Sequence, residues 1–141
     1  MKSRRRSNIT LPDPVFFTDR NLGARVLPDQ LRKAGFRLVV HDEHFSRRQD
    51  VLDPEVIRVC GENSWLLLTS DNDLTRRWAS EIAAARIGVF CQTNNHQGPS
   101  LWAPRICFLK QDIIELAVRQ LRPFIAFITA EIKPQLLLKK A

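Results

Sequence analysis

Acidic side chains follow two segments of the sequence that read as buried strands. Asp19 comes directly after Val15–Thr18 (VFFT), while Asp71 and Asp73 follow Trp65–Thr69 (WLLLT). Ligands of an open parallel sheet bind beyond the carboxyl ends of its strands, so these three carboxylates meet if the two strands are neighbours. Carboxylates that lie close together raise one another's pKa. The spacing therefore predicts a counter-ion, and hard oxygen donors suit Mg²⁺ or Mn²⁺.

Two further acids lie where they can reach the same edge. Asp53 and Glu55 open a predicted helix that leads into the second of these strands. In that helix Asp53 is predicted as the N-cap, Pro54 as the first helical residue and Glu55 as an acid in the first turn. Because Asp53 has this capping role, Glu55 is favoured as the acid that completes the metal site or orients a water. Two metal ions held by such acids activate a water and stabilise the leaving oxygen of a phosphodiester.

Each of these acids also has a structural explanation, which the sequence leaves open. Asp53 and Asp71 are both explained as helix caps, and Asp73 is explained as an ordinary turn residue. Asp19, followed by Arg20, is explained as part of a turn. A functional role is favoured over these explanations because Asp19 and the segment with Asp71 and Asp73 fall at the same edge of the predicted sheet.

The net charge points to a polyanionic partner. The chain has 22 Lys and Arg against 15 Asp and Glu, a formal charge of +7. Four of the cationic residues lie within the first six positions, and residues 1–12 are predicted to form a basic, disordered arm. Such an arm suits a nucleic acid, which releases counterions when its phosphates are neutralised, or it serves only as a solvated tail.

Further arginines flank the acids in the sequence. Their side chains are predicted to follow the phosphates of a bound strand, and solvated faces are the alternative. The predicted nucleic-acid-binding residues are Arg4, Arg5, Arg6, Arg20, Arg47, Arg48, Arg76 and Arg77.

Apolar segments without polar interruption alternate with helical patterns, which is typical of a parallel sheet covered on both faces. The prediction is an α/β three-layer sandwich with a mostly parallel central sheet of about five strands. The strands are predicted over 15–18, 37–40, 65–69, 87–91 and 124–129, and helices over about 27–34, 53–60, 74–86 and 111–122. Loops are predicted over 41–52 and 93–104. Residues 13–132 are expected to form one domain, and residues 133–141 a C-terminal tail or partner-docking segment.

Several other classes of protein are disfavoured. Cys60, Cys91 and Cys107 are odd in number, lack CxxC spacing and adjoin apolar residues, so buried free thiols are expected. His41 and His44 are expected to be exposed loop residues, not zinc ligands. No Gly-rich phosphate loop or GxSxG segment is present. The apolar runs fall short of the roughly 18 residues that a membrane span needs, so a cytoplasmic protein that does not bind membranes is expected.

The segments FFTDRNLGARVLPDQLRKAGFRLVV, LDPEVIRVC and WLLLTSDNDL resemble the compact PIN-like domains, including the group near the VapC-type toxins. That group has the pattern strand-Asp-Glu-Asn-Leu, then Asp-x-Glu-Ile, then Val-Thr-x-Asp-x-Asp-Phe, and the likeness covers about residues 15–91. The resemblance implies a metal-dependent ribonuclease, often the toxin of a toxin–antitoxin pair. It therefore implies RNA as substrate, a cognate antitoxin as partner and Mg²⁺ or Mn²⁺ as cofactor.

The resemblance also assigns positions. It places Asp19, Asp71 and Asp73 on metal-binding positions, Asp53 or Glu55 on the second acid of the pattern, and Thr69 on the hydroxyl position beside the site.

Two departures from the pattern bear on these assignments. Arg20 stands where many relatives have Glu, and Leu74 replaces the usual Phe. The alternatives left open are a non-catalytic PIN-like module that binds RNA or protein, and a Toprim-like metal-dependent phosphoryl-transfer domain. The apolar surface of the last predicted helix and strand is expected to meet either a second copy of the chain or an antitoxin, or else simply to close the sheet.

Overall fold

The computed structural model describes residues 13–46, 50–93, 99–129 and 132–136. The predicted arm, residues 47–49 and residues 137–141 lie outside these ranges. The strands are β1 Val15–Thr18, β2 Arg37–Val40, β3 Leu66–Thr69, β4 Gly88–Gln92, β5 Phe124–Ile128 and β6 Ile132–Leu136. The helices are α1 Val26–Lys33, α2 His41–His44, α3 Asp53–Asn63, α4 Asn72–Arg77, α5 Ala79–Ala85, α6 Trp102–Phe108 and α7 Lys110–Arg119. Short 3-10 turns occupy Arg20–Leu22 and Pro99–Leu101.

The strands form one sheet in the order β2-β1-β3-β4-β5-β6. The first five are parallel, and β6 pairs with β5 in the antiparallel direction at the edge. The chain leaves β1 to form β2 on one side and then returns to form β3 on the other side of β1. The strand order therefore reverses between β1 and β3, which is where ligands of such sheets bind. β1 and β3 are thus neighbours, which is the condition under which the acids at their ends can meet.

Side chains of the central strands alternate between the two faces of the sheet. Phe16 and Leu66 pack with α1, α6 and α7 on one face. Phe17 and Leu67 pack with residues of α3, α4 and α5 on the other face. Because both faces are covered by helices, β1, β3 and β4 are almost entirely apolar. The predicted α/β three-layer sandwich is confirmed.

Both predicted loops contain helices. His41–His44 is helical, and Phe45 after it is buried in the core beside Phe17. In the second loop α6 begins at Trp102, because Trp102, Ala103 and Ile106 together form a buried side. Pro104, which reads as a helix breaker, lies in the first turn of α6, where its missing N–H costs no hydrogen bond.

The predicted helix over 74–86 is two helices that meet at Trp78. The helix α3 does not end at Gly61 but continues to Asn63, and Ser64 ends it in the left-handed conformation. Gly61 permits close packing there, because a Cβ at this position would lie 3.0 Å from the carbonyl oxygen of Ala85. None of the helices in the described ranges is long and apolar enough to cross a membrane.

The C-terminal part differs from the prediction in two ways. The helix predicted over 111–122 ends at Arg119; its buried side is formed by Ile113 and Ala117, whereas Val118 and Leu121 are exposed. Residues 132–136 form the edge strand β6, where the sequence predicted the start of a tail. An edge strand of this kind depends on its hydrogen bonds to β5 more than on its own pattern, so the sequence alone does not predict it. The division of the chain into arm, domain and tail stays a prediction.

A substitution at Gly88 would test how tightly β4 packs against β5. A Cβ at Gly88 would overlap the ring of Phe124, which is fully buried. We expect Gly88→Ala to lower the free energy of unfolding by about 1–3 kcal/mol, the usual cost of overpacking a core. Urea denaturation measures this. In a Phe124→Leu background, where the ring is absent, the same substitution should cost clearly less; equal costs in both backgrounds would contradict the proposed overlap.

Candidate active site

Asp19 lies at the point where the strand order reverses. It directly follows β1, and its side chain is only 7% exposed. One carboxylate oxygen, Oδ1, accepts a hydrogen bond of 2.8 Å from the backbone N–H of Arg20. The other, Oδ2, accepts a hydrogen bond of 2.8 Å from the hydroxyl of Thr69 at the end of β3. The carboxyl ends of the two strands are thus joined through Asp19.

Burial raises the pKa of Asp19 above its ordinary value. The hydrogen bonds from Thr69 and from the Arg20 backbone lower this pKa, while the carboxylate of Asp53 raises it further. Because burial is the largest of these effects, the folded chain holds a carboxyl group where ionisation is costly. Asp53 begins α3, the helix that returns the chain to the start of β3, so it lies at the same edge of the sheet as Asp19.

Thr69 connects Asp19 to the segment after β3. Its hydroxyl oxygen accepts hydrogen bonds from the backbone N–H of Asp71, at 3.1 Å, and from Nδ2 of Asn21, at 3.3 Å. Asn21 in turn accepts a hydrogen bond of 3.3 Å from the backbone N–H of Ser70 through Oδ1. This hydrogen-bond network links the two strand ends that carry the predicted acids.

Asp71 and Asp73 have different surroundings. Oδ1 of Asp71 accepts hydrogen bonds from the backbone N–H groups of Asp73 and Leu74, at 2.9 and 3.3 Å, so Asp71 is the N-cap of α4. The side chain of Asp73 is exposed and forms ion pairs with Arg76 and Arg77. Asp71 therefore has the capping role that was its structural explanation, whereas Asp73 is not a turn residue but lies in the first turn of α4.

Asp53 is not the N-cap of α3, which corrects the prediction. Leu52 holds that position, and its carbonyl oxygen accepts from the backbone N–H groups of Glu55 and Val56. Oδ2 of Asp53 instead accepts a hydrogen bond of 3.2 Å from the indole N–H of Trp78. The reason for preferring Glu55 over Asp53 as the second acid of the site is thereby removed. Glu55 lies in the first turn of the same helix and is partly buried.

The acids of this edge offer two carboxylates to a divalent cation, fewer than a site built entirely from protein side chains would need. Among the described residues, no three His, Cys, Asp or Glu side chains are grouped so that they could hold a metal ion. Asp19 and Asp53 are two oxygen donors at one edge, and Mg²⁺ is usually held by one or two carboxylates and several waters. The donor set therefore suits Mg²⁺ or Mn²⁺. The predicted assembly of Asp19, Asp71 and Asp73 around a common ion stays a prediction.

Residues 14–94, which hold this whole arrangement, match the family model described as "PIN like domain". The chain belongs to the PIN-like domain family. The predicted family is thus confirmed.

A relative from Mycobacterium tuberculosis carries the name "Putative ribonuclease VapC45". It is 39% identical to this PIN-like chain over 62 residues, which are 43% of this chain and 45% of the relative. The chain thus spans less than half the length of that relative. No solved structure matches the chain.

Cationic side chains surround the acids of this PIN-like domain. Arg20 is exposed, next to Asp19. The ion pairs of Asp73 with Arg76 and Arg77 are exposed as well, with side-chain exposures of 58%, 79% and 66%. Exposed pairs of this kind contribute about 0–1 kcal/mol, so a polyanion can compete for the two arginines. Arg4, Arg5, Arg6, Arg47 and Arg48 lie outside the described residues.

Cys91 is a thiol close to the site, but it has no nucleophilic character. Its Sγ lies at the end of β4 and donates to Oδ1 of Asn72 at 3.2 Å. Burial, together with the charges of Asp71 and Asp19, raises the pKa of Cys91 to about 12. The thiol therefore stays protonated near neutral pH. Cys60 is likewise buried and free, as predicted, whereas Cys107 is partly exposed.

The histidines pack with aromatic residues. His41 is only 2% exposed, so the expectation of an exposed loop residue is wrong for it. Its ring lies 5.0 Å from that of Phe45 and 5.9 Å from that of Phe17. His44 is exposed and has edge contacts with Phe45 and Trp65. These ring contacts account for the burial of His41 in the core.

Asn21 and Trp78 contact residues of the site, and neither is among the predicted site residues. Nothing in the sequence near Trp78 shows that its indole N–H donates to Asp53, 25 positions away. For Asn21 a signal was present. It is a short amide two residues after a strand-end acid, and such residues commonly form hydrogen bonds with nearby backbone groups.

The raised pKa of Asp19 predicts a stability that depends on pH. Because its folded-state pKa is above its unfolded value, the stability that Asp19 contributes is present at low pH and is lost as pH rises through the folded-state pKa. We therefore expect metal-free Asp19→Asn to have a higher free energy of unfolding than the wild type at pH 7. The difference should shrink as pH falls below the ordinary value of 3.8.

Urea unfolding at several pH values in EDTA measures this difference. Asp13→Asn makes the same change of charge at an exposed position before β1, away from the site. A wild type that is as stable as Asp19→Asn at every pH would show that burial of this carboxyl group carries no cost.

Proposed function

We propose that this PIN-like chain is an endoribonuclease that depends on Mg²⁺ or Mn²⁺ and hydrolyses RNA phosphodiesters. The observation that carries the proposal is the carboxyl group of Asp19, buried at the reversal point of the sheet despite the cost of ionisation. A cation would offset that cost, because it favours the charged form of the acid. The name of the relative from Mycobacterium tuberculosis supports ribonuclease activity.

The acids of the site would hold the metal ion. Asp19 and Asp53 are the first candidates, and Asp71, Asp73 and Glu55 are further ones. When bound, the metal supplies activation of a water and stabilisation of charge on the departing oxygen. Thr69 orients Asp19, because the Thr69 hydroxyl donates its proton to Oδ2 of Asp19. The lone pairs of the carboxylate that remain for a metal ion then point in a limited set of directions.

The cationic side chains would hold the RNA backbone. Arg20, Arg76 and Arg77 lie around the acids, and the chain as a whole carries a formal charge of +7. Contacts to phosphates release counterions, so binding should weaken as salt is added. Contacts through Arg4, Arg5, Arg6, Arg47 and Arg48, which lie outside the described residues, stay a prediction. Single-stranded or loop RNA is the proposed substrate.

Water is the proposed nucleophile. The thiol of Cys91 is protonated near neutral pH and pairs with Asn72, and His41 is buried among aromatic rings. Neither is available for attack on phosphorus. The reaction is therefore a direct hydrolysis with inversion at phosphorus and no covalent enzyme intermediate.

A toxin of a toxin–antitoxin pair is the biological role that we propose, with a cytoplasmic location. The proposal follows the VapC-type resemblance and the name of the relative. Val118 and Leu121 leave apolar surface exposed at and just beyond the end of α7, which suits an antitoxin or a second copy of the chain. A small neighbouring reading frame that encodes a DNA-binding protein would support this role; an isolated gene would count against it.

A non-catalytic PIN-like module that binds RNA or protein is the second candidate. Two observations favour it. Arg20 stands where the pattern of the resembled group has an acid, and Asp73 is engaged by Arg76 and Arg77. Both features place positive charge where a catalytic site needs metal ligands. RNA cleavage in the presence and absence of metal separates the two functions.

RNA cleavage by the wild type should stop in EDTA and return with Mg²⁺ or Mn²⁺. Asp19→Asn should lower the rate by orders of magnitude, because it removes a charged ligand with almost no change in shape. Asp13→Asn is the matched control and should cleave at the wild-type rate. Gel assays on a labelled single-stranded RNA measure this. A wild type that binds RNA but cleaves none with either metal would favour the non-catalytic module.

Arg20→Glu should raise the affinity for Mn²⁺ and increase cleavage, because it replaces a cation beside Asp19 with the acid of the resembled pattern. Arg20→Gln removes the charge without adding an acid and should give a smaller increase. Calorimetry measures Mn²⁺ affinity, and steady-state kinetics separates kcat from KM. If both variants only raise KM, then Arg20 contributes to RNA binding, and its positive charge does not lower the affinity of the site for metal.

A further inference from the structure

The hydroxyl of Thr69 has a fully assigned set of hydrogen bonds. A hydroxyl group has one proton to donate and two lone pairs that accept. The oxygen of Thr69 accepts from the backbone N–H of Asp71 and from Nδ2 of Asn21. Both lone pairs are then used, and the single proton is donated to Oδ2 of Asp19 over 2.8 Å.

The orientation of the Asn21 amide follows from a separate contact. The backbone N–H of Ser70 donates to Oδ1 of Asn21 at 3.3 Å. Since only the oxygen of the amide accepts such a bond, Nδ2 is the atom that faces Thr69, at 3.3 Å. Oδ1 lies at 3.5 Å from the same hydroxyl oxygen, which is a poorer distance for accepting its proton.

We propose that Asn21 is a positioning residue that directs the hydroxyl proton of Thr69 toward Asp19. By donating to Thr69, Asn21 uses the lone pair on that side, so the proton of the hydroxyl points to the carboxylate. Oδ1 of Asp19 is held by the Arg20 backbone and Oδ2 by Thr69, so the direction of the whole carboxylate is set. This role deepens the proposed function and rests on it for its effect on metal binding.

A simpler role for Asn21 makes different predictions. If Asn21 only ties the segment after β3 to the turn after β1 through Ser70, then an oxygen at its position is all that matters. Asn21→Asp keeps that oxygen and should then behave as the wild type. In the positioning role Asn21→Asp loses the donor to Thr69, offers a second acceptor for the hydroxyl proton and should affect Asp19 at least as much as Asn21→Ala does.

The test is a double-mutant cycle of Asn21→Ala and Thr69→Val in the full chain. The carboxyl-carbon NMR resonance of Asp19, recorded without metal at constant pH, responds to its hydrogen bonds and to its ionisation, and the hydroxyl proton of Thr69 affects both. We expect Asn21→Ala to shift this resonance in the wild-type background but not in Thr69→Val, because the hydroxyl through which it acts is absent there. Equal shifts in both backgrounds, no shift at all, or an Asn21→Asp protein that matches the wild type would overturn the proposal.

Mn²⁺ calorimetry and RNA cleavage measure the consequence for function. Loss of a residue that orients a metal ligand commonly lowers metal affinity or activity by about 10–100-fold, so Asn21→Ala should lower Mn²⁺ affinity and kcat about tenfold with KM little changed. A raised KM with unchanged kcat would mean that Asn21 contacts RNA, and would overturn the positioning role. Asn21→Ala could shift the Asp19 resonance only when Thr69 is present while the wild type binds no Mn²⁺. In that case the positioning role of Asn21 stands and the proposed metal-dependent activity fails.

Discussion

The hydrogen bond between Thr69 and Asp19 holds together the part of this fold on which the proposed chemistry depends. It spans β1 and β3, the two strands between which the sheet reverses its order. A buried carboxylate without such a donor would be strongly disfavoured. The donor is itself held by Asn21 and by the backbone after β3, so the acid, the hydroxyl and the two strand ends form one unit. The sheet has to be parallel here, because only then do both carboxyl ends meet at one edge.

The sequence predicts this framework because its apolar pattern is decisive where both faces of a strand are buried. VFFT and WLLLT permit little besides central strands, and both were predicted to within one residue of where they form. Elements that depend on distant contacts were missed. The helix α6 forms because Trp102 and Ile106 find a place in the core, and β6 forms against β5 at the sheet edge. Neither condition is visible in a window of local sequence.

The same distinction applies to the site. Strand-end position alone predicts that Asp19, Thr69 and Asp71 lie at one edge, since parallel strands leave no other arrangement. Which atoms the acids contact is decided by residues far away in sequence. Asp53 was assigned to its own helix by the rule for N-caps, yet Trp78 supplies its hydrogen bond. The cap rule failed because Leu52 already provides the flanking backbone position, which leaves the Asp53 side chain free to turn toward α4 and α5.

The acids of this domain differ in how they respond to their surroundings. Asp19 is buried, and interactions of buried charges are weakly screened by salt; its environment is fixed by the fold. Asp73 is exposed and paired with Arg76 and Arg77, so its environment changes with ionic strength and with any phosphate that competes for those arginines. In the proposed function, RNA that attracted these arginines would leave Asp73 as an unpaired anion at the edge of the sheet that carries Asp19. Binding of RNA would thereby strengthen the attraction of this edge for a metal ion. The binding of RNA and the binding of metal would then be coupled through charge alone.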